Sequence, residues 1–306
     1  MENQIQALLS AGYEVDVFCL RGEGQPRQEV VNGATVYRAN VLPRKRGGQL
    51  RYLAEYASFW FATLFFLTRR QVTHGYDIIT VQTLPDFLSF AAVFAKLLGA
   101  KVIVDMRECM PEMYQSTFDV GVDHPMMKAV IAAEQGSIGF ADAALTCTAQ
   151  MRDAFAERGA SASKIGVMLN VADPALYRDP VLPDVTAGNH NPFRIVTHGT
   201  IKERYGHEVL IQAMARVIAE LPSARLDVLG DGPMRSELER MVDELGLKGV
   251  VTFTGYVPDD ELMRRLRSAE CGVVPLIRTP ETDLVHTFKM YEYIAMGLPV
   301  IISRTR

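Results

Sequence analysis

Cysteine, tryptophan, long apolar runs and net charge are all in short supply in this chain, and each shortage excludes a class of protein. The 306 residues hold four cysteines, Cys19, Cys109, Cys147 and Cys271, with no CxxC spacing and no adjoining histidine cluster. That leaves no basis for a disulfide framework or a zinc site. Each is expected to be a small buried apolar side chain in a reducing cytoplasm. Basic residues number 32 against 36 acidic ones, a formal net charge of -4, so nothing supports a nucleic-acid binder and any anionic partner must be met locally. The longest largely apolar run, FWFATLFFL at 59–67, stops at Thr68, Arg69 and Arg70, well below the ~18 residues that span a bilayer. The opening MENQIQALLSAGYEVDVF has no basic run followed by an apolar core, so it is not expected to be a signal peptide. Repeats of solenoid length and low-complexity tracts are missing too.

What remains is the composition of a folded protein, 48% hydrophobic and 22% charged, with length for about two domains. Short β-branched runs alternate with longer helical stripes, the pattern of parallel sheets covered by helices. Strands are expected near 14–20, 35–39, 77–82, 101–107, 143–148 and 165–169. A second series is expected near 193–198, 225–229, 250–254, 272–276 and 299–302. One intervening helix is punctuated by Thr83 as cap, Pro85 and Asp86 in its first turn, and Gly99 at its end. The breaker-rich stretch DPVLPDVTAGNHNP divides the chain into a domain at 1–178, a linker at 179–192 and a domain at 193–306. Both ends read as incomplete: a helix precedes the first strand, and no covering helix follows PVIIS.

Three segments of the second domain can carry chemistry. In THGTIKERYG, 197–206, a strand gives way to a helix. Gly199 permits close backbone approach, the helix start offers free N–H groups, and Lys202 and Arg204 add cations, which together suit a phosphate. An ordinary surface loop explains the same letters. In TFKMYEYIAMGLP, 287–299, Thr287 reads as an N-cap and Gly297 as the residue closing the helix, with Lys289 and Glu292 three apart on one face. The carboxylate can accept from vicinal hydroxyls and the lysine can meet a phosphate; a surface ion pair is the plainer alternative. LGDGP, 229–233, supplies a tight turn in a supporting role. In the first domain, QTLPDF and DMRECMPE end two strands, which makes Arg107, Glu108 and Glu112 candidates for contacting an acceptor or a sugar, unless they are simply solvated.

In this order, AGYEVDVFCL, the LPDFLSFAAVFAKLLGAKVIVDMRECMPE block, FADAALTCTAQMRDAF with Asn170 in NVADPALY, HGTIKERYG, LDVLGDGP, VTFTGYVPDDEL and KMYEYIAMGLPVI cover nearly the whole chain. It resembles the retaining glycosyltransferases of family 4. The resemblance implies an α/β protein of two Rossmann-like βα domains facing a cleft, the GT-B arrangement, here incomplete at its N- and C-termini. It also implies a nucleotide-sugar donor, UDP- or GDP-linked, held by Gly199, Thr200, Arg204, Lys289 and Glu292. Of these, Arg204 lies in or beside the position that contacts the diphosphate, and Glu292 matches the second glutamate of the E-x7-E motif, which holds the ribose. Arg204, Lys289 and Glu292 are the catalytic candidates. Eight residues before Glu292 stands Leu284 instead of the first glutamate, so either Glu281 or Asp283 substitutes or the role is absent. Many relatives carry histidine at the position of Arg107, and the family's glycine-rich turn after the first strand is not found.

The implied reaction is transfer of a sugar to an acceptor hydroxyl with retention. Cations and helix N-termini stabilise the leaving diphosphate, and neither a metal nor a cofactor beyond the co-substrate is expected, since no DxD-type cluster is present. The acceptor is expected to be a glycan or a lipid-linked glycan of polysaccharide or glycolipid biosynthesis. Arg38, Arg44, Lys45, Arg46 and Arg51 precede the FWFATLFFL helix, so peripheral contact with the inner face of a membrane is expected of a cytoplasmic protein, against a plain solvated loop and core helix. Two other classes stay open, a GT-B sugar-nucleotide epimerase and a non-catalytic fragment that binds nucleotide.

Overall fold

The computed structural model describes residues 2–40, 49–118, 120–121, 123–172, 177 and 192–305. Arg44, Lys45 and Arg46, the side chain of Arg51 and linker residues 179–191 lie outside them. The chain divides into two compact units, Met1–Val167 and Met168–Arg306.

The first unit begins with α1 (Glu2–Ser10), β1 (Asp16–Leu20), β2 (Gln28–Val31), β3 (Ala34–Ala39) and α2 (Gln49–Thr73). Strand β3 runs parallel to β1 and antiparallel to β2, in the order β1-β3-β2. Strand β2 escapes a reading based on apolar runs because QEVV is short. Its signal is the Asn32-Gly33 pair between VV and ATV, with φ of 49° and 92°, the two positive values that a two-residue hairpin turn requires. Helix α2 seats Phe66 and Phe59 on Phe18 of β1, with ring centroids 4.3 and 5.8 Å away. Its Arg70 Nη2 and the Tyr76 hydroxyl both donate to Asp16 Oδ2, at 2.5 and 2.6 Å.

A second, all-parallel sheet follows, in the order β4-β5-β6-β7. Its elements are β4 (Ile78–Gln82), a 3-10 turn at Asp86–Ala92, α3 (Val93–Leu97), β5 (Lys101–Met106), α4 (Met110–Phe118), α5 (Pro125–Phe140), β6 (Ala143–Thr146), α6 (Ala149–Glu157) and β7 (Ile165–Val167). Val102, Val104 and Met106 of β5 are fully buried, as a central strand demands. The structure corrects the expected helix cap. Thr83 N–H and hydroxyl both donate to Asp105 O, at 3.1 and 3.4 Å, so Thr83 prolongs the pairing of β4 with β5, and the residue preceding the 3-10 turn is Pro85.

The second unit holds β8 (Phe193–His198), α7 (His207–Glu220), β9 (Ala224–Leu229), α8 (Arg235–Glu244), β10 (Val251–Gly255), α9 (Asp259–Arg267), β11 (Cys271–Val274), α10 (Phe288–Ala295) and β12 (Val300–Ile302). Its parallel sheet runs β10-β9-β8-β11-β12. Alternation along β8 sends Ile195 into one core, with Leu226, Leu238 and Ile211, and Val196 into another, with Val274, Tyr293 and Leu298. From β8 the chain winds outward through β9 and β10, then returns to the other side of β8 as β11. That reversal makes a switch point between β8 and β11, and ligands of open α/β sheets bind at the carboxyl ends of such strands.

Candidate functional site

The carboxyl end of β8 is shaped by glycines that no other residue can replace without clash. Gly206, at φ +62°, precedes α7, and a Cβ there would stand 1.8 Å from Pro275 O beyond β11. Loop 199–201 is held from beneath by the turn after β9. Gly199 N–H donates to Leu229 O at 2.8 Å, and Ile201 N–H to Asp231 O at 2.9 Å. A Cβ on Gly230 would meet Gly199 O at 2.0 Å, and one on Gly232 would meet Ile201 O at 2.1 Å. The LGDGP turn is thus a backbone strap for the HGTI loop, with Thr200 exposed on top.

Helix α10 brings Lys289 and Glu292 to this place. Lys289 is 7% exposed, and among the described residues its Nζ has no hydrogen-bond partner. The ammonium lies 5.1 Å from the centroid of the Tyr205 ring and 4.0 Å from where a Gly199 Cβ would stand. Burial pulls its pKa down to about 8, with the Glu292 charge opposing that shift. His207, the first residue of α7, is also buried, and among the described residues both ring nitrogens lack a partner. Burial first and the Lys289 charge second push its pKa down to about 4, so it is neutral at pH 7. Thr287 takes the expected N-cap position, but its hydroxyl makes no capping bond and is buried without a partner among the described residues. A buried ammonium, an unbonded hydroxyl and bare glycine backbone at one strand end are groups that an anion would satisfy.

Glu292 pairs with His198 rather than with Lys289. Its Oε2 lies 3.1 Å from His198 Nε2. Burial alone would raise its pKa, but the bonds from His198 and Tyr177 and the Lys289 charge outweigh that and lower it. Glu292 is therefore an ionised acceptor held in place, suited to a pair of vicinal hydroxyls. The His198 backbone is fixed in turn, its amide N–H donating to the hydroxyl of fully buried Tyr293 at 3.2 Å. Tyr293 fits against β11 because a Cβ at Gly272 would come within 2.4 Å of the Tyr293 ring.

Of the residues expected from sequence, the end of β8 gathers Gly199, Lys289 and Glu292. Arg204 sits beside them, its guanidinium 5.2 Å from the centroid of Tyr205 and ion-paired to buried Glu281. Asp283 pairs with Arg278 at 3.1 Å, and Leu284 is a buried core residue. In the first unit, Arg107 donates from Nε to Asp105 at 3.0 Å and from Nη2 to Gln4 of α1 at 2.8 Å. Glu112 accepts from Arg158 Nη1 at 2.6 Å, and Glu108 is half-buried next to Cys109. His198, His207 and Tyr205 were not singled out by the sequence reading, although His198 stands directly before Gly199 in the segment that drew attention. Among the described residues, no group of three or more His, Cys, Asp or Glu side chains is placed to hold a metal ion.

Residues 1–170 match the glycosyl transferase 4-like domain, and residues 192–306 match the glycosyl transferases group 1 domain. The chain is 29% identical over 196 residues to 2-deoxystreptamine glucosyltransferase of Streptomyces kanamyceticus, covering 60% of this chain and 49% of the relative. Matches to the curated relatives span from about a fifth to about half of their length. Among solved structures, sucrose-phosphate synthase from Thermosynechococcus elongatus superposes with a TM-score of 0.73 at 21% identity, over 98% of this chain and 73% of that one. HepE of Anabaena in complex with UDP-glucose superposes with a TM-score of 0.64 at 17% identity, over 95% and 81%. With one domain match over more than half of its length and a second after it, the chain belongs to the GT-B glycosyltransferases, a glycosyl transferase 4-like domain followed by a glycosyl transferases group 1 domain.

Proposed function

We propose that the protein transfers a sugar from a UDP- or GDP-linked donor to an acceptor hydroxyl with retention at the anomeric carbon, as a family 4 enzyme. The buried, unpartnered ammonium of Lys289 against bare Gly199 backbone carries this reading. As the sugar turns oxocarbenium-like, charge gathers on the leaving diphosphate. Lys289, the start of α7 and Arg204 then stabilise that charge in a site already dry and arranged. Glu292, ionised and braced by His198, takes the two ribose hydroxyls and so fixes where the diphosphate lies. Thr200 on the exposed loop adds a hydroxyl to the donor side. HepE, which shares the fold, is solved with UDP-glucose, and that favours the UDP arm. The reading needs no metal and no cofactor beyond the co-substrate. Arg107, Glu108 and Glu112 fall to the acceptor side in this reading, and the acceptor is a glycan or lipid-linked glycan of polysaccharide or glycolipid biosynthesis. We place the protein in the cytoplasm, at the inner face of a membrane.

The test is titration calorimetry with UDP and GDP on the full chain and on Glu292→Ala. The expected result is saturable binding of one nucleotide, weakened about ten-fold or more in the variant by loss of hydrogen bonds to a charged group. Unchanged affinity would remove the ribose assignment. NMR of products from a nucleotide sugar and an acceptor mixture is expected to show an anomeric configuration equal to the donor's. An isomerised nucleotide sugar formed without acceptor would instead assign an epimerase, and binding without turnover a nucleotide-binding fragment.

A further inference from the structure

Two cations at the end of β8 share one aromatic ring. The turn that leads into α7 is a short 3-10 segment, Glu203–Tyr205, closed by Gly206 at φ +62°. Tyr205 projects from that turn and packs against the core of Val196, Val274, Tyr293 and Leu298, so neighbouring side chains fix where its ring stands. Lys289 Nζ lies over the ring, 5.1 Å from its centroid, and the Arg204 guanidinium lies over it at 5.2 Å. Arg204 is held at both nitrogens of its fork. Its Nη2 donates to the Tyr205 hydroxyl at 3.4 Å, and its Nη1 is ion-paired to buried Glu281.

Sharing a ring places the two like charges within about 10 Å of each other, and one of them is dry. Both facts work against keeping Lys289 protonated. The face of an aromatic ring is negative and attracts a cation within about 6 Å of its centroid, most strongly where water is excluded. It does so without accepting a conventional hydrogen bond, so the N–H groups of the ammonium stay available to an anion. A carboxylate in the same place would compete with that anion for them. The other charged and titratable groups that bear on Lys289 are Glu292 on its own helix, His207 at the start of α7 and, at the shared ring, Arg204 with its partner Glu281.

We propose that Tyr205 is a positioning residue whose ring holds Lys289 and Arg204 charged and side by side for one diphosphate, a role that rests on the donor site proposed above. Tyr205→Phe keeps the ring, whereas Tyr205→Leu and Tyr205→Met fill space without a negative face. The full chain and these variants are compared in two measurements. In calorimetry with UDP and with GDP at pH 7, the two ring-free variants are expected to bind about three- to ten-fold more weakly, and Tyr205→Phe within about two-fold of the wild type. The second measurement needs no nucleotide. The Lys289 ε-carbon resonance, assigned by its loss in Lys289→Met, is titrated by NMR. Its midpoint, about 8 in the wild type, is expected to fall by about half a pH unit to one pH unit without the ring and to stay in place in Tyr205→Phe. Weaker nucleotide binding with an unmoved midpoint would mean that Tyr205 only fills space, and overturns the proposal. So does a phenylalanine variant as impaired as the ring-free ones, or ring-free variants that match the wild type in both measurements. A midpoint that moves as expected in a protein that binds neither UDP nor GDP leaves the ring's hold on the ammonium standing and removes the donor reading instead.

Discussion

Both units bury charge beside their parallel sheets, and they neutralise it in opposite ways. In the first, Asp86, Glu112 and Glu134 surround one cation, Arg158, whose guanidinium meets Glu134 through two bonds of 2.8 and 2.7 Å and Glu112 through one of 2.6 Å. Two carboxylates on one guanidinium, with Asp86 coupled to them through charge alone and both its oxygens without a hydrogen-bond partner among the described residues, leave surplus negative charge, and a proton removes it: burial first and the Glu134 charge second push the Asp86 pKa up to about 7, against the pull of Arg158. In the second unit the surplus is positive. The neutral imidazole of His207 faces the charged Lys289, and Glu292 is engaged by His198. A carboxylate in excess takes a proton from water near neutral pH, whereas the buried ammonium sheds its own only above about pH 8 and below that is neutralised by an arriving anion. The first cluster is built around an internal ion pair and a proton, and the second leaves its cation for a ligand.

The largest effect that would test this contrast is expected at Arg158. Arg158→Ala leaves buried carboxylates without their cation, and urea unfolding should register a loss of about 3–5 kcal/mol. A loss below about 1 kcal/mol would show that the cluster is not held by that ion pair. Lys289→Met should behave oppositely, with UDP binding about ten- to a hundred-fold weaker by calorimetry, since a charge-assisted bond contributes about 1.5–3 kcal/mol. Its melting temperature should stay level or rise, because a buried unpaired charge has gone. A destabilised variant with intact UDP binding would reverse the assignment of roles.

The third expectation concerns pH. Lys289 is charged below about 8 and neutral above it, so UDP affinity should decline as pH rises through 8, and Lys289→Met should lack that break. A fourth expectation, also in pH, concerns Asp86. It keeps its proton up to about 7 in the fold but loses it near 4 when unfolded, so stability should fall as pH rises from about 4 to 7. Asp86→Asn, which has no proton to lose, should match the wild type near pH 4 and exceed it by up to about 4 kcal/mol at pH 8 in urea unfolding, a rise of about three pH units at about 1.4 kcal/mol each. A constant difference across that range would sink the protonated-acid reading.

The fold was legible because strand and helix periods are local. KVIVDM and FRIVTH declare buried strands by their β-branched runs, and their covering helices carry their own stops, Gly246 after α8 and Gly297 after α10. Strand β2 was legible in principle through its Asn-Gly turn. The site was legible only in part. Lys289 and Glu292 stand three apart, and spacing suggests that they pair with each other. Instead the fold gives Glu292 to His198, far back in the chain, and leaves Lys289 Nζ without a hydrogen-bond partner among the described residues. Nothing near Lys289 in sequence announces that its ammonium will be dry, since its surroundings come from far back in the chain, from Gly199, Tyr205 and His207. Likewise Arg158, at the end of α6, reads as a solvated helix terminus, and only packing against α5 and α4 gives it two buried acids, Glu134 and Glu112.

The strap beneath the HGTI loop has a consequence for how this family can vary. Gly230 and Gly232 touch Gly199 and Ile201 through main-chain atoms alone. The height of the loop is therefore set by peptide against peptide, independent of the letters written on its outer side. Thr200 and Lys202 project from a floor that their own replacement does not move. A lineage can accordingly exchange those two side chains without moving the loop, while any residue larger than glycine at either strap position displaces the floor and every contact built on it.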